Sequence, residues 1–521
     1  MITVITRIYT AGRCTDNGNE LNSRTLSSVA AERIVTLFLF ASIAPKAERE
    51  ILVTLFLQGS RSGVSHAPSP SGLEYLNQNN YSMGKLEKIK PNAAGIDIGS
   101  EKIFVAVEGQ EVRSFRTFTS TLYEAVEYLQ RHGVETVAME ATGVYWVALY
   151  DLLEQTGFEV FLVNPIETKN VPGRKTDVQD CQWIQQLHSY GLLRRSFIPD
   201  RTIRELRVYV RLREDHISMA SAHVQHMQKA LTMMNVRLHE VISQIQGVSG
   251  LKIIEAILSG ERDPEELVML CNRQILNNKR ADVIESLRGN YSSEQLFALQ
   301  QALDIWKYYH AKIEECDNKI EILLSQATRS KPPVEKLSKA KPIRHHKPKV
   351  ENLHEKLSKL FDGKDATILP GFTDYNLLQL TAEVGTDLTQ WSSAKHFTSW
   401  TGLAPGKNTS GKMTKRSKKR INTRAGQVFR KAAQSLMQSK HIALGAFARR
   451  IKARKGPMIA IKATARKLAV MYYNLHTKGL DYVEQGVKSY QDQYNAQMTK
   501  FLHKKAAEFG LAVVPIATLQ E

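Results

Sequence analysis

Four carboxylates have the residue types and positions expected of a metal-binding acidic site. Asp97 lies near the end of an apolar run that predicts a buried strand, and Glu140 ends a second such run, ETVAME. Asp177 and Asp180 stand three residues apart in KTDVQD, so they share one face of a predicted helix. A buried carboxylate costs several kcal/mol unless a cation or a metal compensates its charge. Carboxylates that converge at a sheet edge bind hard cations such as Mg²⁺, which promote phosphodiester chemistry.

Each of these carboxylates also has a simpler interpretation. Asp177 suits the N-cap or the first turn of its helix, and Asp180 suits a solvated helix position. Glu140 could simply end its strand. For Asp97, GIDIGS followed by a second strand also resembles the first phosphate loop of the sugar-kinase, actin and Hsp70 ATPases. Those proteins need a second Asp-Gly-rich phosphate loop and a glycine-rich adenosine motif, and neither occurs downstream in this sequence.

The elements that would position the carboxylates alternate between strands and helices over residues 92–200. Strands are predicted at NAAGIDIG, KIFVAVEG, VRSFRTFT, ETVAME and FEVFLVN, with a tight turn at Gly99-Ser100. Helices are predicted at LYEAVEYLQRHG, VYWVALYDLLEQTG and KTDVQDCQWIQQLHSYG. This alternation predicts a mixed sheet with helices on its faces.

Positive charge is concentrated in the C-terminal part of the chain. The 521 residues carry a formal net charge of +19, whereas the 21 Lys and Arg between Leu388 and Leu480 are accompanied by no Asp or Glu. Such a region favours a polyanionic partner, and nucleic acid comes first because phosphates release counterions when Lys and Arg bind them. The sequence has no uninterrupted apolar run of about 18 residues, which argues against a membrane. The four cysteines are scattered and form no CxxC pair, so a reducing cytoplasm is expected.

The remaining segments are predicted from composition and period. Residues 1–82 lack a clear period and precede Met83, which suggests a mis-called start or a poorly ordered tail; a small helical prodomain around 26–58 is the alternative. Two long helices, from 201 and around 293–325, are compatible with an antiparallel coiled coil, although clean heptads are not visible. Six segments result: an extension at 1–82, an α/β domain at 90–200, a helical region at 201–326, a Lys/Pro-rich linker at 327–364, a basic domain at 365–480 and a helical tail at 481–521.

The basic domain is predicted to be mostly helical. Its ATILPGFTDYNLLQLTAEVG stretch resembles a helix–hairpin–helix unit, in which the Pro-Gly turn at Gly371 would point backbone N–H groups at a phosphate. An ordinary turn before a helix is the simpler interpretation. A Trp-containing helix, the loop GKNTSGKMTKRSKKR and two further helices follow.

Several motifs in a fixed order connect the chain to a known family. GIDIGSEKIFVAV, AMEATGVYW, NPIETKNVPGRKTDVQDCQWIQQL, LPGFTDYNLLQLTAEVG and FTSWTGLAPGKNTSGK together resemble the IS110 group of bacterial insertion-sequence transposases, also called DEDD transposases. The resemblance spans about residues 90–475. The segment at 1–82 and the irregular stretch at 327–350 depart from the family pattern.

The resemblance implies a fold, a chemistry and partners. The α/β domain would be RuvC-like, with a ribonuclease-H-type fold, and its acidic residues would be the four carboxylates, holding Mg²⁺ or Mn²⁺. The central helices would form a coiled coil for homodimer or homotetramer assembly. The basic domain would carry a nucleophilic serine, matched to Ser410 of NTSGK, with Ser399 and Ser417 as rivals. Double-stranded DNA would be the substrate, paired with a guide (bridge) RNA in the bacterial cytoplasm, at the nucleoid. The expected nucleic-acid contacts are Lys412, Lys415, Arg416, Lys418, Lys419, Arg420, Arg424 and Gly371.

The expected function is therefore that of a DNA recombinase that cuts and rejoins strands through a serine. A serine hydroxyl is a weak nucleophile that needs activation, which metal-bound carboxylates could supply. One alternative is a RuvC-like junction nuclease that uses the same carboxylates with water. A second is a non-catalytic nucleic-acid-binding protein, such as a domesticated transposase. The Ser-Gly loop argues against the first, and the presence of all four carboxylates argues against the second.

Overall fold

The fold is that of a computed structural model, which describes residues 87–168, 176–335, 337–405, 407–410, 413–416, 422–439 and 442–514. The predictions for 1–82, Lys412, Ser417 and 418–420 lie outside these residues. The described residues form two compact units, one of residues up to 161 with 165–194, the other of 162–164 with 195 onward.

The first unit is built on a five-stranded mixed sheet. Its strands are β1 (Ala93–Ile98), β2 (Lys102–Val107), β3 (Arg113–Arg116), β4 (Thr136–Glu140) and β5 (Glu159–Val163). They lie in the order β3-β2-β1-β4-β5. Strand β2 is antiparallel to both β1 and β3, whereas β4 is parallel to β1. The central strands β1 and β4 are almost wholly buried, as expected for strands covered on both faces.

Among the described residues, four helices accompany this sheet, and all the strands and helices predicted for the unit are confirmed. The helices are α1 (Thr119–Arg131), α2 (Trp146–Gln155), α3 (Pro165–Thr168) and α4 (Asp177–Ser189). Helix α4 packs across β1, β2 and β4. The mixed sheet with flanking helices fits the expected ribonuclease-H-like α/β fold.

The second unit is mostly helical. Its elements are α5 (Arg201–Met233), α6 (Leu238–Val241), α7 (Val248–Leu258), α8 (Pro264–Met269), α9 (Arg273–Ser286), α10 (Ser293–Thr328), α11 (Leu353–Leu360), α12 (Asp374–Val384), α13 (Ala394–Trp400), β6 (Lys407–Ser410), β7 (Met413–Arg416), α14 (Arg424–Leu436), α15 (Ala443–Lys455), α16 (Pro457–Lys478) and α17 (Leu480–Glu508). One core joins α6–α9 to the C-terminal end of α5 and the N-terminal end of α10. A second core joins α11–α17 to the N-terminal end of α5 and the C-terminal end of α10.

Helices α5 and α10 pack side by side in opposite directions. Two contacts show this: Arg213 pairs with Asp317, whereas His223, further along α5, contacts Tyr309, which lies earlier in α10. Their buried positions do follow heptads, contrary to the sequence-based expectation. Buried or half-buried residues at heptad spacing along α5 are Ile203, Leu206, Val210, Arg213, Ile217, Ala220, Val224, Met227 and Leu231. The matching residues of α10 include Leu299, Leu303, His310, Ile313, Asp317, Ile320 and Leu324. The repeat was missed because charged and polar residues occupy core positions.

Four other expectations need correction. The loop GKNTSGKMTKRSKKR contains a two-stranded antiparallel pair, β6 with β7. Helix α15 was not predicted, and α11 lies inside the segment predicted as a linker. The first helix of the helix–hairpin–helix unit is reduced to a 3-10 turn at Ala366–Ile368. Within the described ranges, no helix is both long and apolar enough to cross a membrane.

Candidate active site

Asp97 is the centre of the acidic site. It lies in β1 opposite Phe104 of β2 and is half-buried. Burial is the largest cause that raises the pKa of Asp97 to about 6. The other causes that raise it are the like charges of Asp177, Glu140 and Asp180, in that order. Because such interactions weaken with distance, the other three predicted carboxylates lie near enough to Asp97 for their charges to raise its pKa.

Glu140 is the last residue of β4 and is only 8% exposed. Its Oε2 accepts a hydrogen bond from the Thr168 hydroxyl at 2.8 Å, and its Oε1 accepts one from Thr142 at 3.3 Å. Thr168 is itself 3% exposed. The two hydroxyls therefore fix the orientation of a carboxylate that burial would otherwise penalise.

Asp177 and Asp180 lie in the first turn of α4. The N-cap is Thr176, whose side chain accepts a hydrogen bond from the Gln179 N–H at 3.3 Å. The N-cap interpretation of Asp177 is therefore wrong, whereas the first-turn position agrees with the preference of carboxylates for the positive end of the helix dipole. Asp177 is exposed and Asp180 is half-buried, so solvent reaches both residues.

Gly95 allows α4 to approach β1 closely. A Cβ at this position would lie 2.2 Å from the Gln185 nitrogen and 2.4 Å from the Cys181 carbonyl oxygen. In addition, the buried Gln185 side chain donates from Nε2 to the Ala93 carbonyl at 3.3 Å. These contacts set the position of Asp177 and Asp180 relative to Asp97, two residues after the glycine.

The donor set suits a divalent cation, although no three His, Cys, Asp or Glu side chains of the described residues are placed to hold a metal together. Mg²⁺ retains several waters and needs only one or two direct carboxylates, so a complete protein shell is not required. The concentration of negative charge around Asp97 is what a bound cation would relieve.

The predicted residues of the basic domain lie in the second unit. Ser410 ends β6 and pairs with Met413, while Lys415 and Arg416 lie on β7. Arg424 begins α14, and its guanidinium lies 3.4 Å from a carboxylate oxygen of Glu214. This ion pair is half-exposed, so it is open to competition from a phosphate.

Gly371 has a structural reason to be glycine. Its φ is +79°, and a Cβ there would lie 2.8 Å from the Ala432 carbonyl oxygen of α14. The helix that follows, α12, begins with a capping box between Thr373 and Asn376. The turn therefore packs tightly, and its contact with nucleic acid stays a prediction.

Sequence reasoning missed the residues that hold the carboxylates in place, namely Thr142, Thr168, Gly95 and Gln185. Thr168 lies in the quoted NPIETKN motif, but nothing in its spacing indicates that it meets Glu140. Gly95 lies inside an apolar strand, where a glycine often marks the close approach of another backbone, and this was the one signal of close packing in the sequence.

A ribonuclease-H-like sheet that carries acidic residues on its central strands and on the helix packed against them is typical of a class of nucleic-acid-processing enzymes. The DEDD transposase family of the IS110 group matches residues 94–236, and the family described as Transposase IS116/IS110/IS902 matches residues 366–447. No curated protein matches the chain. The chain belongs to the IS110 family of transposases and is a DNA transposase/recombinase. DNA is accordingly a partner, and the DEDD domain implies a divalent metal.

Proposed function

We propose that this transposase cuts and rejoins DNA strands through Ser410, assisted by Mg²⁺ or Mn²⁺ held at Asp97, Glu140, Asp177 and Asp180. The gathering of three carboxylates around Asp97 is the observation that carries the proposal. It supports a site built for a cation, because four negative charges are costly together without one.

In this proposal the serine hydroxyl attacks the scissile phosphodiester and the 3′- or 5′-oxygen of the broken strand leaves. The resulting phosphoserine keeps a phosphoester bond, so a DNA hydroxyl can later displace the serine and restore the strand. The bound metal would polarise the phosphate and lower the charge that develops on it. Thr168 and Thr142 hold the Glu140 carboxylate, and α4 presents Asp177 and Asp180.

The basic residues that follow Ser410 would hold the DNA backbone. Lys415 and Arg416 lie on the strand β7, and Lys412, Lys418, Lys419 and Arg420 flank it in sequence. The described part of α14–α16 adds further Lys and Arg with no acidic residue in the same segment. Such an array favours phosphate binding through counterion release.

Assembly as a homodimer or homotetramer, guided by an RNA, completes the proposal. The face of α5 opposite α10 supports the assembly part, because it exposes an apolar row at heptad spacing: Val208 (59%), Leu212 (44%), Met219 (48%) and Met233 (60%). Leu212→Glu together with Met219→Glu should then lower the molar mass measured by light scattering. An unchanged mass would argue against this face.

The test of the chemistry is a denaturing gel that detects covalent protein–DNA adducts on a recombination substrate. The wild type should form adducts in Mg²⁺, and Ser410→Ala should form none. Asp97→Asn should abolish recombination while leaving DNA binding intact. Strand cleavage without adducts in the wild type would favour a water-using nuclease instead.

A further inference from the structure

Residues 337–349 (LSKAKPIRHHKPK), called the basic strap below, contain no Asp or Glu. Composition predicted a tether, and this segment has neither helix nor strand. A mobile tether would nevertheless leave its backbone and its lysines to the solvent. The strap is instead held at both ends by buried polar groups.

The N-terminal end of the strap is attached to the turn before α12. The Ser338 N–H donates to Asp365 Oδ2 at 2.9 Å, and Asp365 is 1% exposed. Lys341 Nζ donates to the carbonyls of Thr367 and Leu369, at 2.6 and 2.7 Å. Burial opposes ionisation of Asp365, yet the hydrogen bonds that it accepts lower its pKa to about 2. This anchor is therefore charged and fully engaged at neutral pH.

The C-terminal end of the strap is attached to the α5–α10 pair. Arg213 and Asp317, each 1% exposed, form a buried ion pair with Nε and Oδ1 2.6 Å apart. Arg213 also donates from Nη2 to the His346 carbonyl at 3.1 Å, and the Lys349 N–H donates to Asp317 Oδ2 at 3.0 Å. Two elements from distant parts of the chain thus hold the strap in one path.

Three cations on the strap point to solvent between these anchors. Lys339, Arg344 and Lys347 are exposed, and none of them forms an ion pair with another described residue. Lys341 and Lys349 differ, because the first is used by the anchor and the second pairs with Glu314. A fixed backbone presents the three free cations at set positions, which lowers the ordering cost of binding.

We propose that the basic strap is a DNA-binding surface that holds the phosphate backbone of duplex DNA through Lys339, Arg344 and Lys347. Exposed cations that form no ion pair and are held in position are the groups that bind DNA phosphates favourably, and such contacts carry no base specificity. The outer two lie eight positions apart in the sequence, which spans at most about 27 Å, enough to follow several phosphates. The surface is distinct from the residues at 412–420, and the inference rests on DNA as substrate but not on Ser410.

The test uses the full chain and a fluorescent 30-bp duplex of arbitrary sequence. Lys339→Gln/Arg344→Gln/Lys347→Gln is compared with the wild type by anisotropy over a range of KCl concentrations. Three lost phosphate contacts should reduce the slope of log K against log salt by about 2 to 3, and weaken binding at ~0.1 M salt on the order of a hundredfold. The control Lys229→Gln/Lys252→Gln/Lys319→Gln removes the same charge from exposed positions elsewhere and should keep the wild-type slope.

The outcomes separate this proposal from its rivals. Wild-type affinity and slope in the strap variant would overturn it. A loss confined to a structured RNA, with duplex DNA bound normally, would overturn it as well, because the strap would then serve RNA. Equal losses in the strap variant and in the control would mean that net charge alone acts, and would also refute a dedicated surface. Because binding is measured without catalysis, a failed serine assignment leaves the result unaffected.

Discussion

Gly95→Ala probes how the acidic site is positioned. The added methyl would lie 2.2 Å from the Gln185 nitrogen and 2.4 Å from the Cys181 oxygen, whereas ordinary contacts begin at 3.4 Å. Both neighbours are backbone atoms of α4, so no side chain can rotate away. Helix α4 must therefore move back from β1 by roughly 1 Å, and overpacking of this kind costs about 1–3 kcal/mol or more.

The same movement carries Asp177 and Asp180 away from Asp97. A misplacement of about 1 Å in a catalytic site can reduce the rate by about a hundredfold. We therefore expect recombination by Gly95→Ala to fall about a hundredfold under conditions where the variant is still folded. Urea unfolding gives the loss of stability, and a recombination assay with excess DNA substrate gives the rate.

The control is Gly486→Ala, because a Cβ there meets nothing within 4 Å. It lies in α17, where alanine favours the helix by about 1 kcal/mol over glycine. It should leave stability equal or higher and activity unchanged. Wild-type activity and stability in Gly95→Ala would refute the claim that close packing of α4 on β1 sets the acidic site.

Three further predictions follow from the same contacts. Because the pKa of Asp97 is raised in the folded state, the folded protein loses stability as pH rises from about 4 to about 6. Asp97→Asn removes that loss, so calorimetry at pH 7 without metal should give the variant a higher Tm than the wild type. An equal or lower Tm in the variant would contradict this. Thr168→Val should weaken Mn²⁺ binding measured by calorimetry, whereas Thr168→Ser should restore it; similar values in both variants would exclude a role of the hydroxyl. Arg213→Met should lower the free energy of unfolding in urea by about 3–5 kcal/mol, because it leaves Asp317 buried without its partner, and adding Asp317→Leu should recover most of that loss. A negligible loss in Arg213→Met alone would contradict this.

The α/β unit could be predicted from sequence because its signals are local. Apolar runs marked β1 and β4, and the carboxylates stood at their ends. Thr176 and the acidic first turn indicated where helix α4 begins. These features depend on neighbouring residues, so they were visible without knowledge of the fold.

What could not be predicted depends on residues far apart in the chain. Thr168 meets Glu140 only once α3 is folded against the sheet, and Ser338 meets Asp365 across the strap. The α5–α10 heptads were hidden because an ion pair between Arg213 and Asp317 replaces two apolar core residues. The β6–β7 pair was missed because its strands carry polar side chains, which resemble a loop in composition.

The most direct test of the central claim is to locate the residue that becomes linked to DNA. Covalent adducts trapped in Mg²⁺ are digested with nuclease and protease, and mass spectrometry identifies the peptide that carries a nucleotide. We expect a phosphodiester on Ser410, with Ser399 and Ser417 unmodified and with no adduct in Asp97→Asn. A nucleotide on another residue, or efficient strand exchange with no covalent adduct, would contradict it.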